Sequence, residues 1–403
     1  MNLRFDNLKL ANGLQVIGEY NPFVQSVAMG FFVNTGSRDE VAEISGVSHF
    51  LEHMMFKGTD SRSAEDINQD FDRIGALYNA YTNKEHTVYY GAVLKEKAFD
   101  LLDILSDMLR PALRESDFEL EKKVILEEIA MYEDRPDFKV FEKGYKHFYN
   151  EHPLGNSVGG SPESVSNLKI EQMRDYFEER YASDNLVFVL AGNYDWQKMV
   201  DMLEALTSNW HPANSERKYP NLERSSSDGL EPDQKLNRSH VALFSNGYSA
   251  QDDRRYAAAI ISNLVGGGSG RLYWALTDKG LVDTASLSHD SSDQAGSFLG
   301  YLSSNPKDLD DVLNIYNDVV NNLDDISQEE WQRARRKLAS SITMRAETPF
   351  NRLMSLGRRY LYNKNYQALD KTVSMVLNTE LEQGQELLER KPFANMVSYK
   401  LSP

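Results

Sequence analysis

Residues 116–136 read SDFELEKKVILEEIAMYEDRP, and a stretch 213 residues further on repeats their skeleton. Pro136 falls on Pro349, Phe118 on Trp331, Ile129 on Ile342 and Met131 on Met344. The same offset carries Tyr149 onto Tyr362 and Asn150 onto Asn363. Matches at one fixed spacing mark an internal duplication, so the chain divides into two related halves of roughly 200 residues each. Within the stretch, Ser116 is a candidate N-cap with Glu119 three residues later. Val124, Leu126, Ile129 and Met131 supply part of an apolar face, and Pro136 stops the helix.

Outward from this helix, residues 27–35 and 86–94 carry the β-branched and aromatic content of strands, while 46–56 and 97–109 have helical apolar spacing. Leu8 to Val16 reads as a hairpin with an Asn12-Gly13 turn, so structure is expected to begin almost at Met1. Strand pairs of this kind favour an antiparallel or mixed sheet over a doubly wound parallel one. The expected fold is α+β: two homologous α/β halves, each a mixed or antiparallel sheet covered by helices, related by a pseudo-twofold axis. Three prolines (Pro212, Pro220, Pro232) and the run Ser225-Ser226-Ser227 make 211–239 an expected exposed linker. The expected division is 1–212, a linker at 213–238, and 239–403.

Composition narrows the function. A net charge of −17 leaves no basic face for a phosphate backbone, which argues against nucleic acid as a partner. There is no cysteine, so disulfides, thiolate metal sites and a cysteine nucleophile are excluded, and any metal must be held by His, Asp or Glu. No run approaches the roughly 18 apolar residues of a membrane span, so no membrane association is expected. The N-terminus lacks a basic flank followed by an apolar segment, and a cytoplasmic location is the expectation.

The chemistry is concentrated in His49-Phe50-Leu51-Glu52-His53. Histidines at i and i+4 lie on one helix face, where two imidazoles can share a metal ion. Zinc accepts neutral imidazole and carboxylate, and a catalytic zinc takes three protein ligands and keeps a fourth position open for water. Glu52, beside the second histidine, is placed to take a proton from that water as it attacks a peptide carbonyl. This is the order of the inverted zincin motif, His-x-x-Glu-His. The run Gly266-Gly267-Gly268 lacks the Gly-Lys-Ser/Thr ending of a phosphate loop. His86, His147, His152, His211, His240 and His289 have no metal spacing among themselves.

The run from His49 to Thr59, HFLEHMMFKGT, closely resembles the active-site segment of the pitrilysin family, particularly the mitochondrial processing peptidase and its bacterial relatives. The resemblance extends to His152-Pro153-Leu154-Gly155, Gly159-Gly160 and Ala191-Gly192-Asn193, and so runs through most of the chain. It implies a third zinc ligand on a later helix, seven residues after another glutamate. Glu121 and Glu128 reproduce that pattern, which points to Glu128 as the ligand, with Glu127 as its rival by adjacency. Glu121 and Glu128 are two turns apart on one face, whereas Glu127 is about 100° around the helix. Glu121 would orient a ligand or the water; the alternative is an ordinary solvated helix carboxylate. The resemblance also implies that residues 75–82 form an edge strand onto which substrate adds, with Asn79 contacting it through its side chain and Ala80 through its backbone.

The implied activity is that of a zinc metalloendopeptidase acting on peptides or unfolded protein segments inside a dimeric clamshell chamber. The 213-residue offset carries His49, Glu52, His53 and Glu128 onto Ser262, Val265, Gly266 and Ser341, so one metal site per chain is expected. Many active relatives carry an Arg and a Tyr seven apart in the second half. The matching stretch here, Leu276 to Asp283, has neither at those places. Either another subunit supplies the pair or this protein holds substrate differently; the resemblance implies a dimer with a second copy or a related subunit. The alternatives are a catalytic subunit that needs a partner chain, and a non-catalytic peptide-binding or scaffold subunit of the same family.

Overall fold

A computed structural model describes residues 3–403. The first part of the chain runs β1 (Arg4–Lys9), β2 (Gln15–Tyr20), β3 (Ser26–Val33), α1 (Val47–Met54), α2 (Ala64–Arg73), β4 (Leu77–Thr82), β5 (Thr87–Leu94), α3 (Ala98–Met108) and α4 (Glu115–Glu133). It continues through α5 (Pro136–Tyr149), α6 (Pro162–Asn167), α7 (Ile170–Arg180), β6 (Leu186–Gly192) and α8 (Trp196–Leu206). The second part runs β7 (Gly229–Pro232), β8 (Ser239–Asn246), α9 (Arg255–Gly266), β9 (Val282–Ser292), β10 (Ala295–Ser304), α10 (Leu309–Asn321) and α11 (Gln328–Arg345). It ends with α12 (Pro349–Asn363), α13 (Leu369–Leu377), α14 (Leu381–Glu389) and β11 (Val397–Ser402).

Two mixed sheets result, ordered β1-β2-β6-β3-β5-β4 and β7-β11-β8-β10-β9. From β2 onward the first repeats the pairing of the second. One parallel pair (β2 with β6, β7 with β11) is followed by three antiparallel ones. The duplication read from the prolines is therefore a duplication of topology. β3 and β8 are offset by 213 at both ends, and so are the first residues of α4 and α11 and of α5 and α12.

The contacts divide the chain into two compact units that are not contiguous in sequence. One comprises 1–130, 156–219 and 346–366, and the other 131–155, 220–345 and 367–403. α12 therefore belongs with the first sheet and α5 with the second. This explains why β3 is apolar at nearly every position. Val27, Met29, Phe31 and Val33 point into the core under α1 and α3, and Ala28 and Phe32 into a second core with Leu353, Leu356 and Leu361 of α12. At Gly357 a Cβ would lie 2.3 Å from the Phe32 ring, so α12 approaches its sheet only because that residue has no side chain. Gly144 of α5 does the same against Phe244, 2.5 Å away, at the equivalent repeat position.

Two expectations need correction. The segment 213–238 is more than an exposed tether, since Arg217 is buried in an ion pair with Asp39 (2.8 Å) and residues 229–232 form β7. A four-residue strand ending in proline has no periodicity to detect. The expected apolar face of α4 is only partly inward: Leu126 and Ile129 pack against the first core, but the other two residues do not. Val124 and Met131 are exposed, while Phe118, Glu121 and Ile125 are buried. The Asn12-Gly13 hairpin forms as expected, with Gly13 at φ +93°. Among the described residues, no helix is long and apolar enough to cross a membrane.

Candidate metal centre

Helix α1 is fixed at its N-terminus by contacts that take up its free backbone donors. The carboxylate of Glu40 accepts from the N–H groups of Gly46 (2.7 Å) and Ser48 (2.8 Å). The Ser48 hydroxyl meets the Tyr176 hydroxyl at 2.7 Å, which in turn meets Thr35 Oγ1 at 2.7 Å. Gly46 sits at φ +95°, with the Gly159 carbonyl only 2.7 Å from where a Cβ would be. On the core side, Phe50, Leu51, Met54 and Met55 are fully buried. Residues 49, 52 and 53 are left on the opposite, half-open face.

There the two histidines converge. His49 Nε2 lies 3.2 Å from His53 Nε2, and Glu128 Oε2 of α4 lies 3.9 Å from the first and 3.5 Å from the second. Among the described residues these three form the one group of His, Asp and Glu side chains close enough to hold a metal ion. Glu127, the rival by adjacency, is exposed and outside the group. Three ligands around a tetrahedral zinc, with bonds of about 2.0–2.1 Å, stand about 3.3 Å apart. Two of the observed edges, 3.2 and 3.5 Å, are close to that spacing, and the third, 3.9 Å, is longer.

The protonation pattern fits as well. His53 Nδ1 is 2.9 Å from Glu121 Oε1, which places the proton on Nδ1 and leaves the Nε2 lone pair facing the other two donors. Burial and the neighbouring His53 lower His49 to about 4, so its imidazole is neutral. Burial would raise Glu121, but hydrogen bonds from His53 and Lys57 (Nζ 2.5 Å away) hold it below the usual carboxylate range. The solvated-carboxylate alternative for Glu121 does not apply, because its side chain is 4% exposed.

Glu52 lies beside this triangle, raised above the ordinary carboxylate range by burial. One of its oxygens accepts from Thr82 Oγ1 at 2.6 Å. Asn79 and Ala80 lie on β4, the free edge of the first sheet, and Asn79 Oδ1 presently takes the Ala80 N–H at 2.8 Å. The sequence reading missed Thr82, Glu40 and Lys57 as contributors. Lys57 lies past the end of α1, and it, Thr82 and Glu40 all reach the site by tertiary contact alone.

The two sheets and this triangle define a duplicated α+β protein with a His2Glu candidate metal centre. Residues 15–161 match the family described as Insulinase (Peptidase family M16), and residues 167–338 match the Peptidase M16 inactive domain. A Bacillus subtilis protein named "Uncharacterized zinc protease YmxG" is 32% identical over 379 residues, covering 92% of this chain and 91% of that protein. A Rickettsia felis protein named "Uncharacterized zinc protease" is 30% identical over 387 residues, covering 95% and 93%. The crystal structure of a protease from Helicobacter pylori superposes with a TM-score of 0.90 at 20% identity over the whole of both chains, a likeness of fold. The chain belongs to peptidase family M16.

Proposed function

We propose that this protein is a zinc metalloendopeptidase that hydrolyses peptides or unfolded protein segments. The observation that carries the reading is the convergence of His49, His53 and Glu128 on one point with Glu52 alongside. A zinc ion held there supplies a Lewis acid that polarises a peptide carbonyl and lowers the pKa of water toward neutrality.

The chain's own residues do the rest. Glu52, raised by burial, takes the proton of the attacking water and returns it to the departing amine. Glu121 keeps His53 in the tautomer and orientation that its role as ligand requires. β4 offers its open edge to an extended peptide, whose backbone pairs there with little regard for sequence. For that pairing Asn79 has to release the Ala80 N–H, and its amide is then free to bind the arriving strand.

The reading includes a dimer, as a second copy or a related subunit enclosing the substrate. One observation favours a dependence on such a partner. The stretch Leu276 to Asp283, where the resemblance leads one to expect an Arg and a Tyr, offers neither: Leu276 is buried, and Asp283 is an exposed carboxylate paired with Arg238. The test is hydrolysis of an unstructured quenched fluorescent peptide by purified, zinc-depleted chain before and after one equivalent of zinc. Cleavage that appears with zinc, and that spares a folded protein of similar sequence, supports the peptidase. A zinc-loaded chain that cleaves nothing alone but does so with an added related subunit supports the partner-dependent form.

A further inference from the structure

Glu52 and the substrate edge come from different elements, and a single hydroxyl joins them. Thr82 is the last residue of β4, and its Oγ1 donates to Glu52 Oε2 at 2.6 Å. Its backbone N–H turns to the open edge. That direction follows from the ladder. Asn83 N–H turns inward to the His86 carbonyl at 3.0 Å, so by antiparallel alternation the N–H groups of Thr82 and Ala80 turn outward, to the open edge. Edge strand and base therefore meet at one residue.

The hydroxyl is itself held. Thr87, paired with Thr82 in the ladder and fully buried, brings its Oγ1 to 3.3 Å from Thr82 Oγ1 and donates to the Thr35 carbonyl at 3.1 Å. A threonine hydroxyl has one proton to give. With the Thr87 proton directed at Thr35, and Thr82 Oγ1 backed by an oxygen, the Thr82 proton is left to Glu52. That ties one carboxylate oxygen and leaves the other to act on water.

Resting on the peptidase reading above, we propose that Thr82 is a positioning residue: it fixes the Glu52 carboxylate and sets its register against a peptide bound along β4. A carboxylate oriented by a fixed donor loses no time or free energy to reorientation in the reaction, so the contact acts on turnover more than on binding.

The test compares wild type, Thr82→Val and Thr82→Ser as full, zinc-loaded chains, with zinc content, melting temperature, kcat and KM measured on each. A crystal structure of Thr82→Val accompanies the kinetics. Valine keeps the β-branched shape suited to a strand and removes the donor; serine keeps the donor. The expected result for Thr82→Val is a fall in kcat of about 10- to 100-fold with KM within about twofold, unchanged zinc, and a Glu52 side chain turned from its wild-type position. Thr82→Ser restores most of the lost rate. The proposal is overturned by a valine variant with wild-type kcat, by a loss confined to KM, by a serine variant as poor as valine, or by a Glu52 that keeps its place in the valine crystal. The crystal comparison separates the two levels. A wild type that cleaves nothing either alone or with an added related subunit counts against the peptidase reading, while an unmoved Glu52 counts against Thr82 alone.

Discussion

The Nδ1 of His53 stands 2.9 Å from a carboxylate oxygen of Glu121, 68 residues further along the chain and on the same helix as Glu128. One face of α4 thus supplies both a carboxylate aimed into the metal triangle and a carboxylate behind one of its imidazoles. Among the described residues His49 has no such support, since none of them hydrogen-bonds its buried Nδ1. The orientation of the pair therefore depends on Glu121. Glu121→Ala is expected to lower zinc affinity by about 10- to 100-fold, and Glu121→Gln, which keeps an acceptor without the charge, by less. Competition with a chromophoric chelator measures this; an alanine variant that binds zinc as tightly as wild type would contradict the assignment.

Arg352 of α12 reaches under the first sheet to Glu19 of β2, with Nε and Nη2 at 2.7 and 2.5 Å from its two oxygens, and Tyr366 donates to the same carboxylate at 2.8 Å. Both charged side chains are almost fully buried. Removing one partner leaves an uncompensated charge, which costs about 3–5 kcal/mol, whereas removing both costs far less. Arg352→Met is therefore expected to destabilise strongly, and Glu19→Gln/Arg352→Met to recover most of the loss in urea unfolding. Additive effects of the two substitutions would show that the pair is not coupled.

Stability also carries a pH signature at Glu40. Burial pushes this carboxyl up from 4.5 to about 7, against the two N–H groups of α1 that it accepts. Between those values the folded chain holds a proton that the unfolded chain has released. The contribution of Glu40 is thus fully present below pH 4.5 and is lost as the pH rises through about 7. Unfolding of wild type and Glu40→Gln at pH 5 and pH 8 is expected to show wild type losing stability relative to the variant at the higher pH. A difference independent of pH would contradict the shift.

What could be read in the sequence follows from how local each signal is. The spacing of His49 and His53 is a property of one helix, so their shared face was legible before any tertiary structure was known. The 213-residue echo of Pro136 in Pro349 gave the duplication, because proline marks a helix start by its own geometry. Neither proline says which sheet the following helix covers, and α5 and α12 each join the other half's strands. Periodicity also misread part of α4, although Leu126 and Ile129 do pack against the core. Val124 and Met131 are as apolar as a core residue, yet the buried side carries Glu121, whose partners His53 and Lys57 lie far away in sequence. The contact of Thr82 with Glu52 belongs to the same class: a strand-end threonine has no pattern that names its acceptor.

The most direct test of the account is Glu52→Gln in the otherwise intact chain, with zinc content and peptide cleavage measured on the same preparation. The account predicts that the variant retains one zinc per chain, because His49, His53 and Glu128 are untouched, while cleavage falls by about 100-fold or more. A glutamine variant that cleaves at the wild-type rate with its zinc in place would remove Glu52 as the base and contradict the mechanism.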